Sequence, residues 1–233
     1  MTKTFIQITD CHIDDDKLVM GVDSQANLGA IVSMISQKNY EALLISGDLA
    51  HNGTLESYQI LQKILDPIEA EIYVLPGNHD DLSNLSHVFN KSYLCNFTID
   101  CWEVITIDSF QPGKVSVRLS DEQLYSLSQE INSSNAKYIV LCLHHPPVSM
   151  QSDWDDEMSL ENPDDLFAVI DQFDNIKAVM WGHAHQCSEF NREGVKLFSC
   201  PSTALQFNGQ PGIGYNHYTL NEDGEIYCKT QWL

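Results

Sequence analysis

The chain has 233 residues, with 33 Asp and Glu against 12 Lys and Arg, for a formal net charge of −21. That length buries a full-sized core and excludes a peptide hormone, a knottin or a zinc-finger module. The charge disfavours nucleic-acid packaging and binding to anionic membranes, while 43% hydrophobic residues argue against a disordered acidic tail.

Residues 4–9 (TFIQIT) read as a strand that runs into Asp10-Cys11-His12. Residues 22–38 carry helical spacing, with Leu28, Ile31, Val32 and Ile35 on one side. A strand over 40–46 ends at Gly47-Asp48, and a helix over about 54–66 stops near Pro67. The strand over 71–75 ends in Pro76-Gly77-Asn78-His79-Asp80. This alternation is the rhythm of a layered α/β protein. Residues 102–108 form a further strand, and a helix over 121–133 opens with Ser120 and has Gln123 at the capping-box position. The strand over 138–143 ends in His144-His145-Pro146-Pro147. A helix over 163–173 starts on Pro163, and the strand over 176–181 ends in Gly182-His183-Ala184-His185. The remainder, 186–233, reads as short antiparallel strands with glycine turns at 194, 209–214 and 224. One domain over 1–233 is expected, with no linker and no internal repeat. Residues 151–174 carry nine carboxylates and no Lys or Arg, and read as a solvated face.

The seven cysteines are odd in number and form no CxxC pair, which suits a reducing compartment. Cys11 and Cys142 read as small core residues, and Cys187 and Cys200 as the more exposed ones. The start MTKTFIQITD has no long apolar run, and no stretch approaches a membrane span. The expected setting is the cytoplasm, without membrane association.

Five apolar strands end within a residue or two of Asp, Asn or His, and strand carboxyl ends are where α/β sheets bind ligands. The candidate metal ligands are Asp10, His12, Asp48, Asn78, His144, His183 and His185. Carboxylate, imidazole and amide donors suit Mn, Fe, Zn or Co better than a calcium cage. Seven side chains exceed what one ion needs, but two ions about 3.5–4 Å apart would use them all if one carboxylate bridges. With only two Arg, at 118 and 192, such ions must carry most of the field aimed at an anionic substrate. Taken singly, each motif also reads as a turn or a helix cap; their shared order and chemistry favour the metal reading.

The blocks Asp10-Cys11-His12, Gly47-Asp48, Gly77-Asn78-His79-Asp80, His144 and Gly182-His183-Ala184-His185 occur in the order of the calcineurin-like metallophosphoesterases, which the chain closely resembles over about residues 4–233. Within that superfamily it looks most like the bacterial class III 3',5'-cyclic AMP phosphodiesterases. The shared stretches include Leu75 to Asp80, His144 to Pro147, Gly182 to Gln186 and Pro201 to Phe207. The resemblance implies an α/β fold, a two-sheet β-sandwich flanked by helices in four αββα layers. It implies one metal on Asp10, His12 and His185, a second on Asn78, His144 and His183, and Asp48 bridging. Iron and manganese are typical of this branch; zinc or cobalt also occupy such sites. Asn78 and His79 would bind substrate. His79 would protonate the leaving 3' oxygen or clamp the phosphate, and Asp80 would orient His79 or simply cap a helix. A small nucleotide is the implied substrate, hydrolysed to a 5'-nucleotide by activated water, and a homodimer is compatible. Protein phosphatases of the superfamily have Glu where this chain has Asp80, and extra Arg clamps. The alternatives are a broader phosphoesterase for other diesters, monoesters or nucleotide pyrophosphates, and a non-catalytic scaffold. His145 reads as structural, His51 as either pocket lining or packing, and Trp154 as a loop anchor that could also meet a base. Thr203 and Phe207 either shape the rim or pack the last strands, and Asp14-Asp15-Asp16 reads as an exposed loop.

Overall fold

A computed structural model describes residues 2–207, 209–210 and 212–233. The first half runs β1 (Lys3–Ile8), β2 (Leu18–Val19), β3 (Val22–Asp23), α1 (Ser24–Ile35), β4 (Ala42–Ser46), α2 (Leu55–Leu65), β5 (Glu71–Leu75) and α3 (Leu82–Phe89). It continues with β6 (Phe97–Ile99), β7 (Trp102–Thr106), α4 (Asp121–Ser133), β8 (Tyr138–Cys142), α5 (Asp153–Asp156), α6 (Pro163–Ile170) and β9 (Ile176–Trp181). The chain closes with β10 (Ser188–Arg192), β11 (Val195–Ser199), β12 (Gly214–Leu220) and β13 (Ile226–Trp232).

The strands form two main sheets, ordered β13-β12-β1-β4-β5 and β10-β11-β9-β8-β7-β6. Successive side chains of a strand point to opposite faces, and that alternation builds three cores. Ala42 and Leu44 of β4 join Phe5, Val140, Cys142 and Met180 in the core shared by both sheets. Leu43 and Ile45 point the other way, onto Leu28 and Ile31 of α1, Leu61 of α2 and Leu85 of α3. On the far side, Ile139 and Leu141 of β8 pack with Leu124 and Leu127 of α4 and Leu166 of α6. The layers are therefore αββα. No helix among the described residues is long and apolar enough to cross a membrane.

Helix starts follow local chemistry. The Ser120 hydroxyl accepts from Gln123 N at 3.2 Å while the Gln123 side chain accepts from Ser120 N at 3.0 Å, which is the expected capping box. Helix α1 begins at Ser24 because the Asp23 side chain caps it, accepting from Ala26 N at 2.9 Å, and residue 22 lies instead in the β2–β3 hairpin. Short elements, α3 and β6 among them, carry too little periodicity to read from sequence. Helix α3 has eight residues, capped by Asp81 rather than Asp80, and β6 has three. Strand β11 pairs parallel with β9, so the strands of 186–233 are not purely antiparallel. The turn expected over 209–214 includes Pro211, outside the described residues. The Asp14-Asp15-Asp16 loop is not simply exposed. Asp14 is buried and accepts from Asn52 Nδ2, and Asp15 accepts from Thr54 and Ser57 at the start of α2. Cys200 is buried rather than exposed, and Cys187 is half-buried.

Strands β1, β4 and β5 run parallel in one sheet, and β7, β8 and β9 in the other. The carboxyl ends of β1, β4, β5, β8 and β9 carry every candidate ligand. The two sheets are tied together there by His183 N, past the end of β9, donating to Asp10 Oδ2, past the end of β1, at 2.9 Å.

Candidate metal centre

Past the end of β1 the chain keeps its pairing with the β4 exit. Asp10 N donates to Gly47 O, His12 N to Asp48 O and Ile13 N to Leu49 O, each at 3.0 Å. To present side chains inward over this short distance the backbone turns left-handed. Asp10, His12, Asp48, His183 and His185 have φ of 51°, 45°, 49°, 66° and 46°. Non-glycine residues rarely adopt that region, and such strain collects at functional sites. The neighbouring glycines answer a packing demand. At Gly47, with φ +101°, a Cβ would land on the His144 ring, and at Gly77 it would strike the Asp48 carboxylate and His144 Nε2.

The donor atoms converge. His12 Nε2 and His185 Nε2 are 3.0 Å apart, and His185 Nε2 is 3.4 Å from Asp10 Oδ1. Asp48 turns one oxygen to each side, Oδ2 at 3.7 Å from His12 Nε2 and Oδ1 at 3.5 Å from His144 Nε2. Two donors each about 2.1 Å from one ion stand roughly 3 Å apart, so these separations suit shared cations. Asp10 Oδ1, Asn78 Oδ1, His144 Nε2 and His183 Nε2 are buried without a hydrogen-bond partner. Buried polar atoms are ordinarily satisfied, and cations would satisfy all four. The opposite ring nitrogens are already committed. Nδ1–H of His144 donates to Ser46 O at 2.8 Å and that of His185 to Leu205 O at 2.7 Å, which leaves Nε2 as the ligating atom in each ring. The buried donors fall into the overlapping groups Asp10, His12, His185 and Asp10, Asp48, His144, with His144 and His183 also adjacent. The site is binuclear.

Charge balance points the same way. Burial pushes the Asp10 carboxyl up, but the His185 and His144 rings outweigh it and hold it at about 2. Burial likewise acts against ionised Asp48, and His144 and His12 hold it well below the usual carboxylate range. Burial lowers His12 to about 3 and His183 to about 4, leaving neutral imidazoles suited to ligation. His144 differs, because Asp48 and Asp10 overcome burial and lift it to about 9. The carboxylates that favour a proton on His144 equally favour a cation beside it.

The remaining predicted residues divide. His79 sits exposed at the rim, its N–H donating to Asp48 Oδ1 at 2.9 Å. Asp80 does not orient it. The Asp80 carboxylate is buried and accepts from Leu49 N, Ala50 N, Gly77 N and Tyr58 Oη at 3.2, 3.0, 2.9 and 2.9 Å. It staples the ligand-bearing loops after β4 and β5 to α2, while the partner of the His79 ring is His51 O, 2.9 Å from Nδ1. His145 is buried and pairs with Ser109 Oγ at 2.8 Å. Cys11 is buried, its thiol pushed up to about 12 by desolvation, and takes the core position expected of it.

The segment 201–207 contributes more than its composition suggests. Ser202 Oγ donates to Asp10 O at 2.8 Å and accepts from Ala204 N and Leu205 N, which aims Leu205 O at His185. Phe207 then stacks on the His185 ring at 4.0 Å, and Trp154 meets Phe207 edge-on at 5.2 Å. Ser202, Ser46 and Leu205 were not singled out from sequence. Two of the three act through backbone carbonyls, which no residue type advertises.

A family model of calcineurin-like phosphoesterases matches residues 3–187. The chain belongs to that family. Along its whole length it is 49% identical to the probable cyclic nucleotide phosphodiesterase of Vesicomyosocius okutanii, with all of both chains covered. It is 30% identical over 237 residues to a 3',5'-cyclic adenosine monophosphate phosphodiesterase of Pseudomonas aeruginosa, covering 95% of this chain and 86% of that one. A dimetal phosphatase from Danio rerio has the same fold at 13% identity, with a TM-score of 0.81 and 99% and 96% of the two chains covered. The αββα arrangement expected from the motifs of this phosphoesterase is thus borne out.

Proposed function

We propose that this phosphoesterase hydrolyses 3',5'-cyclic nucleotides, 3',5'-cyclic AMP among them, to 5'-nucleotides at a two-metal centre. The observation that carries the reading is Asp48, whose oxygens lie 3.7 and 3.5 Å from His12 and His144. In this reading Asp10, His12 and His185 hold one ion, Asn78, His144 and His183 the other, and Asp48 both. Iron and manganese, or zinc or cobalt, suit these nitrogen and oxygen donors. Bound there, the ions supply Lewis acidity toward the phosphoryl oxygens and a water acidic enough to attack phosphorus at neutral pH.

The protein's own groups do the rest. Asn78 and His79 bind the phosphoryl oxygens. The His51 carbonyl holds the Nδ1 proton of His79, so Nε2 is the ring nitrogen left to face the leaving 3' oxygen and to hand it a proton. As the P–O3' bond breaks, that oxygen takes the proton and the product leaves as a 5'-monophosphate. The exposed faces of Phe207 and Trp154 beside His185 offer a base a flat apolar surface. Seven cysteines, none of them paired, suit a cytoplasmic setting.

The test pairs metal content with turnover of 3',5'-cyclic AMP, 2',3'-cyclic AMP, bis-p-nitrophenyl phosphate and p-nitrophenyl phosphate. Two bound ions with a clear preference for the 3',5'-cyclic diester is the expected result. Equal rates on all four would replace the cyclic-nucleotide reading with a broad phosphoesterase, and two ions without turnover would replace the enzyme with a scaffold.

A further inference from the structure

His51 follows the Gly47-Asp48 block but is neither a donor of the main groups nor a rim residue like His79. Its backbone continues the pairing between the β1 and β4 exits, since His51 N donates to Ile13 O at 2.9 Å. His12 and His51 therefore leave adjacent segments side by side, and His51 Nδ1 lies 3.3 Å from His12 Nδ1. The Nε2 of His12 faces His185 and Asp48. As a ligating atom it must carry a lone pair, which puts the His12 proton on Nδ1 and makes His51 Nδ1 its acceptor. His144 and His185 rest their Nδ1–H groups on backbone carbonyls; His12 rests on a side chain.

His51 also reaches the other half of the chemistry. Its carbonyl accepts from His79 Nδ1 at 2.9 Å, and its ring stacks on the His79 ring at 5.0 Å and 20°. His12 meets the His79 ring edge-on at 4.9 Å, so the three imidazoles form one packed set.

From this geometry we infer that His51 is a positioning residue that sets His12 as a ligand through its ring edge and His79 toward the substrate through its ring face. The inference rests on the metal-centre reading proposed above. Groups that fix the orientation of a ligating imidazole typically change metal affinity about 10- to 100-fold when removed. Misplacing a reacting group by a fraction of an ångström to an ångström costs up to about 100-fold in rate.

Two substitutions separate the two contacts. His51→Phe keeps a ring over His79 but removes the acceptor for His12. His51→Asn keeps an acceptor but removes the stack. Each variant, stripped of metal, is titrated with Mn²⁺ by calorimetry and then assayed on bis-p-nitrophenyl phosphate at saturating Mn²⁺, with thermal unfolding as the folding check. For His51→Phe, Mn²⁺ affinity at one of the two sites falls roughly 10- to 100-fold, and kcat at saturating metal is largely retained. For His51→Asn, affinity is little changed and kcat falls about 10- to 100-fold with KM nearly constant. Wild-type affinity and kcat in both variants, or the same loss of both in each, would overturn the inference. Failure of the wild type to turn over cyclic nucleotides would overturn the substrate reading alone, because the Mn²⁺ arm does not use them.

Discussion

Left-handed backbone at Asp10, His12, Asp48, His183 and His185 puts strain on five of the seven donor residues. Each such residue costs of order 1–3 kcal/mol, and it persists because its surroundings leave no alternative. Asp48 is held from both sides, its oxygens lying between His12 and His144 while it also accepts from His79 N. Asp48→Asn removes the charge from both sides at once. It is expected to lower metal content at both positions and turnover by about 100-fold or more, beyond the loss typical of residues that only orient a ligand; two retained ions with unchanged rate would remove Asp48 from the bridge. His79 is a different kind of residue, exposed and outside the donor cage. His79→Ala is expected to leave metal content intact and to slow diesters with poor leaving groups by about 100-fold or more, with smaller loss on p-nitrophenyl esters. Equal losses on both would make it a clamp and not an acid.

At the scale of elements, the centre is an assembly of strand exits closed by one loop. Segment 201–207 docks on β1's exit through Thr203 N to Thr9 O at 3.1 Å and Ser202 Oγ to Asp10 O at 2.8 Å, and so delivers Phe207 onto His185. Phe207→Ala tests whether this stack serves the base. If it does, KM for 3',5'-cyclic AMP rises by about 10-fold, the worth of one stacked base at roughly 1–3 kcal/mol, while KM for bis-p-nitrophenyl phosphate moves much less. A parallel rise for both substrates would assign Phe207 to holding His185 alone. Asp80 shows how element geometry overrules proximity in sequence: it adjoins His79, yet its carboxylate turns inward to the backbone of the loops after β4 and β5.

Across the whole molecule, a net charge of −21 opposes an anionic substrate everywhere except where cations gather. Buried carboxylates and unpartnered imidazole nitrogens also cost stability until they are met. Metal at 100 times its dissociation constant adds about 2.7 kcal/mol per site, or roughly 5–10 °C in Tm for a chain of this size. Chelation is therefore expected to lower Tm by at least that amount and to abolish turnover, with recovery on adding Mn²⁺. An unchanged Tm in protein shown to be metal-free would separate these donors from any ion. The sequence by itself determined the chemistry and the layers: apolar runs of strand length, each ending in Asp48, Asn78, His144 or His183, carry the donor types and the side from which they act, because strand exits are local. Only the tertiary structure decided which donor faces which. That His12 leans on His51, that Leu205 and Ser46 hold imidazoles through carbonyls, and that Asp80 staples loops instead of orienting His79 all depend on contacts between segments far apart in sequence, several of them made by backbone groups common to every residue.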